Sequence, residues 1–169
     1  MSMGTVVKYL IQSNDRFWVD ERLAPSSGSD RIGMTWEATD NQMRGRNQNI
    51  HINLFAGGDS ARRALRVFER ADLAAVHAFY DRGLGRIYKN YASSRAPDPR
   101  FVPWPLERWT WGGYSCPVPG EVCNVAPFLN RPFCRHLFFA GEHVCMPFFA
   151  YMEGALESGA MVAKKILST

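Results

Sequence analysis

Two residues stand where charge meets burial. Lys8 interrupts the otherwise apolar run at 6–11 (VVKYLI). A lysine withdrawn from water has a lowered pKa and can act in proton transfer. The same lysine on an edge strand would simply snorkel to solvent. Glu142 follows Gly141 at the end of the apolar run 137–140 (LFFA), and a helix is predicted from Tyr151 onward. A glycine lets backbone approach a ligand closely. A helix start offers unpaired N–H groups and a partial positive charge. The combination suits an anionic or electron-rich ligand group. Gly154, Ala155, Ser158, Gly159 and Ala160 fill the first turns with small residues, so a flat ligand or another backbone can lie against them. Read without a ligand, the same stretch is a strand–turn–helix with a tightly packed small-residue face. Tyr114 and Tyr151 offer aromatic faces that exclude water, or else pack in a core.

The remaining chemistry-bearing residues point less sharply. Arg62, Arg63, Arg66 and Arg70 share one predicted helix. Such runs are usually solvated faces, and no recognised nucleic-acid motif accompanies this one. Cys116, Cys123, Cys134 and Cys145 form no C-x-x-C pair and the histidines lack zinc spacing, so four free, partly buried thiols and no metal are expected. The net charge of +4 is mild, and 46% apolar with 21% charged residues in 169 is the composition of an ordinary globular domain. No apolar run is long enough to span a bilayer, and these residues carry no signal-peptide pattern, which for a C-terminal piece means little. Neither a nucleic acid nor a membrane is an expected partner. Localisation stays open between cytoplasmic and secreted.

These residues need elements to hold them. Strands are predicted at 6–11, at 32–39 and at 50–56, where Ile50, Ile52 and Leu54 alternate with His51 and Asn53. A polar hairpin-like connection is expected at 41–49. After Gly57-Gly58, Asp59 or Ser60 is expected to cap a helix over 61–70. Further helices are expected at 73–80 and 84–91. Residues 93–105, with Pro97, Pro99, Pro103 and Pro105, read as an irregular connection. Residues 137–140 read as a short buried strand, and 151–167 as a helix with Met152, Leu156, Gly159, Ala163 and Ile166 at helical spacing. No G-x-G-x-x-G follows an opening strand.

The ordered motif FFAGEH followed by YMEGALESG resembles the C-terminal flavin-binding signature of the flavin amine oxidases, which include monoamine, polyamine and L-amino-acid oxidases. The resemblance implies that Glu142 hydrogen-bonds the ribityl or pyrophosphate part of FAD. It also implies that the backbone of Tyr151, Met152, Glu153, Gly154 and Ala155 faces the flavin pyrimidine edge, with Gly141 at the preceding turn. Met3-Gly4-Thr5-Val6-Val7-Lys8 is similar to the family segment whose lysine approaches the flavin through a water. This makes Lys8 the catalytic candidate, linked to reoxidation by oxygen. Leu54-Phe55-Ala56-Gly57-Gly58-Asp59-Ser60-Ala61 looks like the strand–glycine–helix junction of the substrate domain. Trp111-Gly112-Gly113-Tyr114 resembles the double-glycine turn near the flavin ring, which places Gly113 at the cofactor. Where monoamine oxidases carry a cysteine that bonds FAD, Tyr114 stands here, so noncovalent FAD is implied, with Cys116 in reserve. Tyr114, Tyr151, Ala150 and Trp36, with Met34, are the implied substrate contacts. Met146-Pro147-Phe148-Phe149-Ala150 departs from the histidine-containing form of many amino-acid oxidases by one extra residue. That departure implies an apolar pocket suited to a hydrophobic or aromatic substrate.

The implied fold is mixed α/β. Residues 1–110 belong to a mixed-sheet substrate domain, and residues 111–169 form the C-terminal segment of a Rossmann-like FAD domain. The family's nucleotide-binding glycine motif has no counterpart in this sequence. A partner chain carrying it, and so a hetero-oligomer, is expected, with oxygen and an L-amino acid or amine as the small-molecule partners. The implied reaction oxidises that substrate to an imine, giving hydrogen peroxide, ammonia and a keto acid or aldehyde. Three other readings stand beside it. One is an inactive remnant or noncatalytic binding module of the same fold, another is a monooxygenase that releases an amide, and a third is an anion- or nucleic-acid-binding domain built on the arginine helix.

Overall fold

A computed structural model describes residues 1–39 and 50–168. The expected connection at 41–49 lies outside the described residues. The chain divides into two compact units, Thr5–Thr110 on the one hand and Met1–Gly4 with Trp111–Thr169 on the other.

The Thr5–Thr110 unit is built on a five-stranded antiparallel sheet. Its strands are β1 (Val6–Ser13), β2 (Ser27–Ser29), β3 (Gly33–Glu37), β4 (Ile50–Gly57) and β5 (Arg100–Pro103), in the order β2-β3-β4-β1-β5. A four-residue helix, α1 (Phe17–Asp20), follows β1. The alternation along β1 sends Val7, Tyr9 and Ile11 into a core where each is fully buried, and leaves Lys8, Leu10 and Gln12 on the other face. Each fully buried apolar side chain contributes roughly 1.5–3 kcal/mol of burial free energy. On β4, Ile50, Ile52, Leu54 and Ala56 do the same.

Two helices cover that buried face. The first, α2 (Gly58–Arg70), contributes Ala61, Ala64 and Leu65 to the core. It starts earlier than expected and without a side-chain cap from Asp59 or Ser60. Ser60 Oγ instead donates to Gly57 O at 2.8 Å, and Asp59 pairs with Arg62. The second, α3 (Leu73–Ile87), is capped by Asp72, whose carboxylate accepts from Ala75 N at 2.8 Å. It runs unbroken where two helices were expected. A Cβ at Gly83 would sit 2.5 Å from Ile32 Cγ2, so this glycine admits Ile32 from the sheet side. That packing outweighs the roughly 1 kcal/mol a helical glycine costs. A single turn, α4 (Tyr91–Ser94), completes the set, and Tyr91 OH donates to Asp81 Oδ1 at 2.7 Å.

The proline-rich stretch corrects a second expectation. It is not irregular throughout, because Arg100–Pro103 pairs with β1. Proline is compatible with a strand there because β5 is an edge.

The second unit contains α5 (Glu121–Asn124), α6 (Ala126–Leu129), two 3₁₀ turns at Glu142–Val144 and Met146–Phe148, and α7 (Met152–Leu167). Its first residues pair with the double-glycine segment. Gly4 N donates to Tyr114 O at 2.7 Å, Gly113 N to Gly4 O at 2.9 Å, and Cys116 N to Ser2 O at 2.8 Å. Glu121 fixes this pairing by accepting from both the amide and the hydroxyl of Ser2 at 2.9 Å. The segment 137–140 is not the buried strand that was expected. Leu137 makes one isolated bridge to Phe133 and is 51% exposed, and 138–140 have no ladder partner among the described residues. An apolar run becomes a buried strand only when neighbouring strands satisfy its backbone. The apolar stripe read on α7 is present but uncovered, with Met152, Leu156 and Ile166 exposed.

Candidate functional site

The carboxylate of Glu142 organises the Trp111–Thr169 unit. Oε1 accepts from Ser115 N at 2.7 Å, and Oε2 accepts from Ser115 Oγ at 2.6 Å and from Ala150 N at 2.9 Å. Hydrogen bonds to an ionised group are about twice as strong as neutral ones. Glu142 therefore ties the residue after Tyr114 to the residue before Tyr151. Ala150 is held at φ +67° by this clamp, a region disfavoured for a residue with a Cβ by roughly 1–2 kcal/mol. A carboxylate has about four acceptor positions, and three are spent on the protein. Tyr114 and Tyr151 are 40% and 70% exposed.

The start of α7 is held from beneath. Ser158, 4% exposed, lies in the second turn of the helix, with its Oγ 2.9 Å from both the amide and the carbonyl of Gly141. Gly141 has φ +150°, and a Cβ on it would meet the His143 ring at 2.6 Å. At Gly154 a Cβ would clash with Phe148 O. The absence of a side chain at Gly154 is thus required by the protein's own 146–148 turn, not only by a ligand. Gly159, by contrast, has nothing within 4 Å of its Cβ position.

No side chain caps α7 at Tyr151, and Met152 and Glu153 are exposed there. The first-turn amides consequently present donors and the positive end of a sixteen-residue helix. Donors of this kind fit the electron-rich edge of a flavin. In the double-glycine turn, Gly112 is the glycine that sterics demand, since its Cβ would meet Met3 Cβ at 2.6 Å. Gly113 is exposed and supplies its amide to Gly4.

The other candidates lie on the Thr5–Thr110 unit, on the sheet face opposite its helices. Lys8 is not on an edge. Its strand is interior, and Lys8 stands opposite Phe55 of β4 and Val102 of β5. Held on both sides, its backbone cannot slide. Met34 is opposite Phe55 from β3, and the Trp36 ring lies 6.2 Å from the Phe55 ring. Met34 and Trp36 are 54% and 37% exposed. Lys8, Met34, Trp36 and Phe55 therefore share one face. Sequence reading passed over Asn53 on the same face, between Leu10 and Trp36. It is 4% exposed and its Oδ1 has no partner among the described residues. A polar residue in an alternating strand gave no signal that it would be buried. Ser115 was missed because nothing in the sequence links it to Glu142, the carboxylate it serves.

All four cysteines are free. Cys116, Cys123 and Cys134 are exposed, against the expectation of partial burial, and Cys145 is buried. Among the described residues no cluster of potential ligands can hold a metal ion, and no helix is long and apolar enough to cross a membrane.

The model of the flavin-containing amine oxidoreductases matches residues 1–167. Amine oxidase [flavin-containing] B of Cavia porcellus is 25% identical over 172 residues, which cover 98% of this chain and 31% of that protein. YobN of Bacillus subtilis, which carries the name of an L-amino-acid oxidase, is 31% identical over 83 residues, covering 49% of this chain and 17% of its own length. Among solved structures, putrescine oxidase bound to putrescine superposes with a TM-score of 0.82 at 17% identity, over 99% of this chain and 36% of that one. The chain spans about a third of the length of the full-coverage relative, 31%, and of the solved neighbour, 36%. With a family model matched along nearly its whole length, the chain belongs to the flavin-containing amine oxidoreductases.

Proposed function

We propose that this chain supplies the ring-side part of an FAD site and part of the substrate pocket of an oxidase acting on an L-amino acid or another amine. The observation that carries the reading is the Glu142 clamp. It joins the Tyr114 and Tyr151 segments at the uncapped start of α7. FAD is held without a covalent bond, because Tyr114 follows the double glycine. The nucleotide end of FAD is bound by polypeptide outside these 169 residues, in keeping with the share of the relatives that the chain spans.

Held by Gly113, Glu142 and the first-turn amides of α7, a flavin would supply the two-electron redox chemistry between the amine and oxygen. In sum, amine, oxygen and water give a carbonyl compound, ammonia and hydrogen peroxide. The α7 amides stabilise negative charge at their ligand. The Tyr114 and Tyr151 rings exclude water and receive the amine. Lys8 moves a proton during reoxidation by oxygen. The amino-acid branch is favoured by the Gly141-Glu142-His143 form and by the likeness to YobN.

The deciding experiment co-expresses the chain with the polypeptide encoded just upstream, then records the visible spectrum and peroxide release with L-amino acids and amines. A bound-flavin spectrum with peroxide is expected, and a colourless complex would overturn the proposal. In the active assembly, Lys8→Met should slow flavin reoxidation by oxygen while leaving reduction by substrate largely intact. An unchanged reoxidation rate removes Lys8 from the mechanism.

A further inference from the structure

Five arginines line one groove of about 620 Å³ on the Thr5–Thr110 unit. Arg63, Arg66 and Arg70 come from a single stripe of α2, at helical spacings of three and four. Arg82 comes from α3, and Arg31 from the turn between β2 and β3. The Arg31 guanidinium lies 5.6 Å over the ring of Phe79, which forms part of the wall. Arg63 donates to a neutral acceptor, the carbonyl of Asp30, at 3.3 Å.

None of the five has a carboxylate within ion-pair distance among the described residues. Their neighbour Arg62, on the same helix but outside the groove, is paired with Asp59 at 2.6 Å. A plainly solvated face would disperse its cations or interleave them with acids. Here three elements deliver like charges to one concavity, where mutual repulsion opposes compaction. An anion with several oxygens relieves that repulsion, and the planar guanidinium fork matches phosphate oxygens two at a time.

We propose that this groove binds a small oligophosphate. Its volume falls within the roughly 300–1,000 Å³ of small-molecule sites. Phe79 is 6% exposed and so offers no open face for base stacking, which is what single-stranded nucleic acid would need. The site lies wholly within the sheet unit and does not depend on flavin binding.

Titration calorimetry on the full chain with tripolyphosphate tests it. Saturable binding is expected, much weaker with orthophosphate and weakened by salt. Arg66→Gln combined with Arg70→Gln should weaken tripolyphosphate binding by about tenfold or more, given the strength of charge-assisted contacts. Arg82→Gln, from the other helix, should weaken it in the same direction. Arg62→Gln should leave it unchanged. All these side chains are on the surface, and far-ultraviolet circular dichroism confirms that each variant is folded. The proposal is overturned by an absence of tripolyphosphate binding or by an equal loss in Arg62→Gln. It is also overturned by tighter binding to a single-stranded oligonucleotide or to anionic lipid vesicles than to tripolyphosphate.

Discussion

The Thr5–Thr110 unit buries large side chains, and the Trp111–Thr169 unit with Met1–Gly4 buries small ones. In the first, Trp18, Tyr9, Tyr80, Tyr88 and Leu84 are almost fully enclosed between sheet and helices. In the second, the buried set is Gly112, Ser115, Ala126, Val144, Cys145, Gly154 and Ser158. Its large apolar residues, among them Trp111, Phe128, Phe133, Met152 and Leu156, stay exposed. One unit is held together by apolar burial, the other by hydrogen bonds to three side chains, Glu121, Glu142 and Ser158, and by glycines that let backbone touch backbone. A segment assembled in this way leaves its large apolar side chains exposed.

The sharpest way to break this contrast is to truncate one leucine in each unit. Leu84→Ala should destabilise the chain by about 2–5 kcal/mol, because a buried leucine leaves a cavity. Leu156→Ala should change stability by no more than about 0.5 kcal/mol, as for other exposed sites. Urea midpoints measure both, and equal losses would erase the distinction. Next in size is Gly154→Ala, which drives a methyl into Phe148 O and should cost about 1–3 kcal/mol as overpacking. Faster proteolysis within 145–150 would locate the damage. Ser158→Ala leaves the half-buried Gly141 amide without its partner and should cost about 1–2 kcal/mol, the lower part of the roughly 1–3 kcal/mol range for an unsatisfied donor. Thermal unfolding of the variant reads it.

Two smaller effects follow from titration. The amide and hydroxyl of Ser2 hold the Glu121 carboxyl below its usual range. The stabilisation is complete above the ordinary carboxylate pKa and is lost as pH falls through the lowered one. Hydrogen exchange at Ser2 should therefore lose protection in acid while the β1 amides keep theirs. The hydrogen bond from Cys145 Sγ to Glu157, and then burial, push the Cys145 thiol above its ordinary range. Because the thiolate is the reactive form, a thiol reagent at about pH 8 should modify Cys116, Cys123 and Cys134 first. Glu157→Gln should speed Cys145 labelling, and an unchanged rate would deny the coupling.

What could be read in advance followed the same division. The alternation of Ile50, Ile52 and Leu54 announced a half-buried strand because its partners lie within the sequence. The apolar run Leu137-Phe138-Phe139-Ala140 also suggested a strand and does not form one, because burial depends on neighbours that a local pattern does not contain. Two helices were expected where α3 runs unbroken, with Gly83 a socket for Ile32, and Pro103 read as a loop and sits on an edge strand. Both turned on contacts distant in sequence. At the site, the motif around Glu142 was legible. Its partner Ser115 was not, since twenty-six residues of unpatterned chain lie between them.

The position of β1 has a consequence for synthesis. It is the earliest strand in the sequence and an interior one in the sheet, flanked by β4 and β5. At translation speeds of about 5–20 residues per second, the roughly ninety residues that separate it from β5 keep one of its edges open for several seconds. During that interval Val7, Tyr9 and Ile11 form a bare apolar strip beside unpaired amides. Such a strip is a hazard for strand-to-strand aggregation, and the charge of Lys8, on the opposite face of the same strand, opposes it.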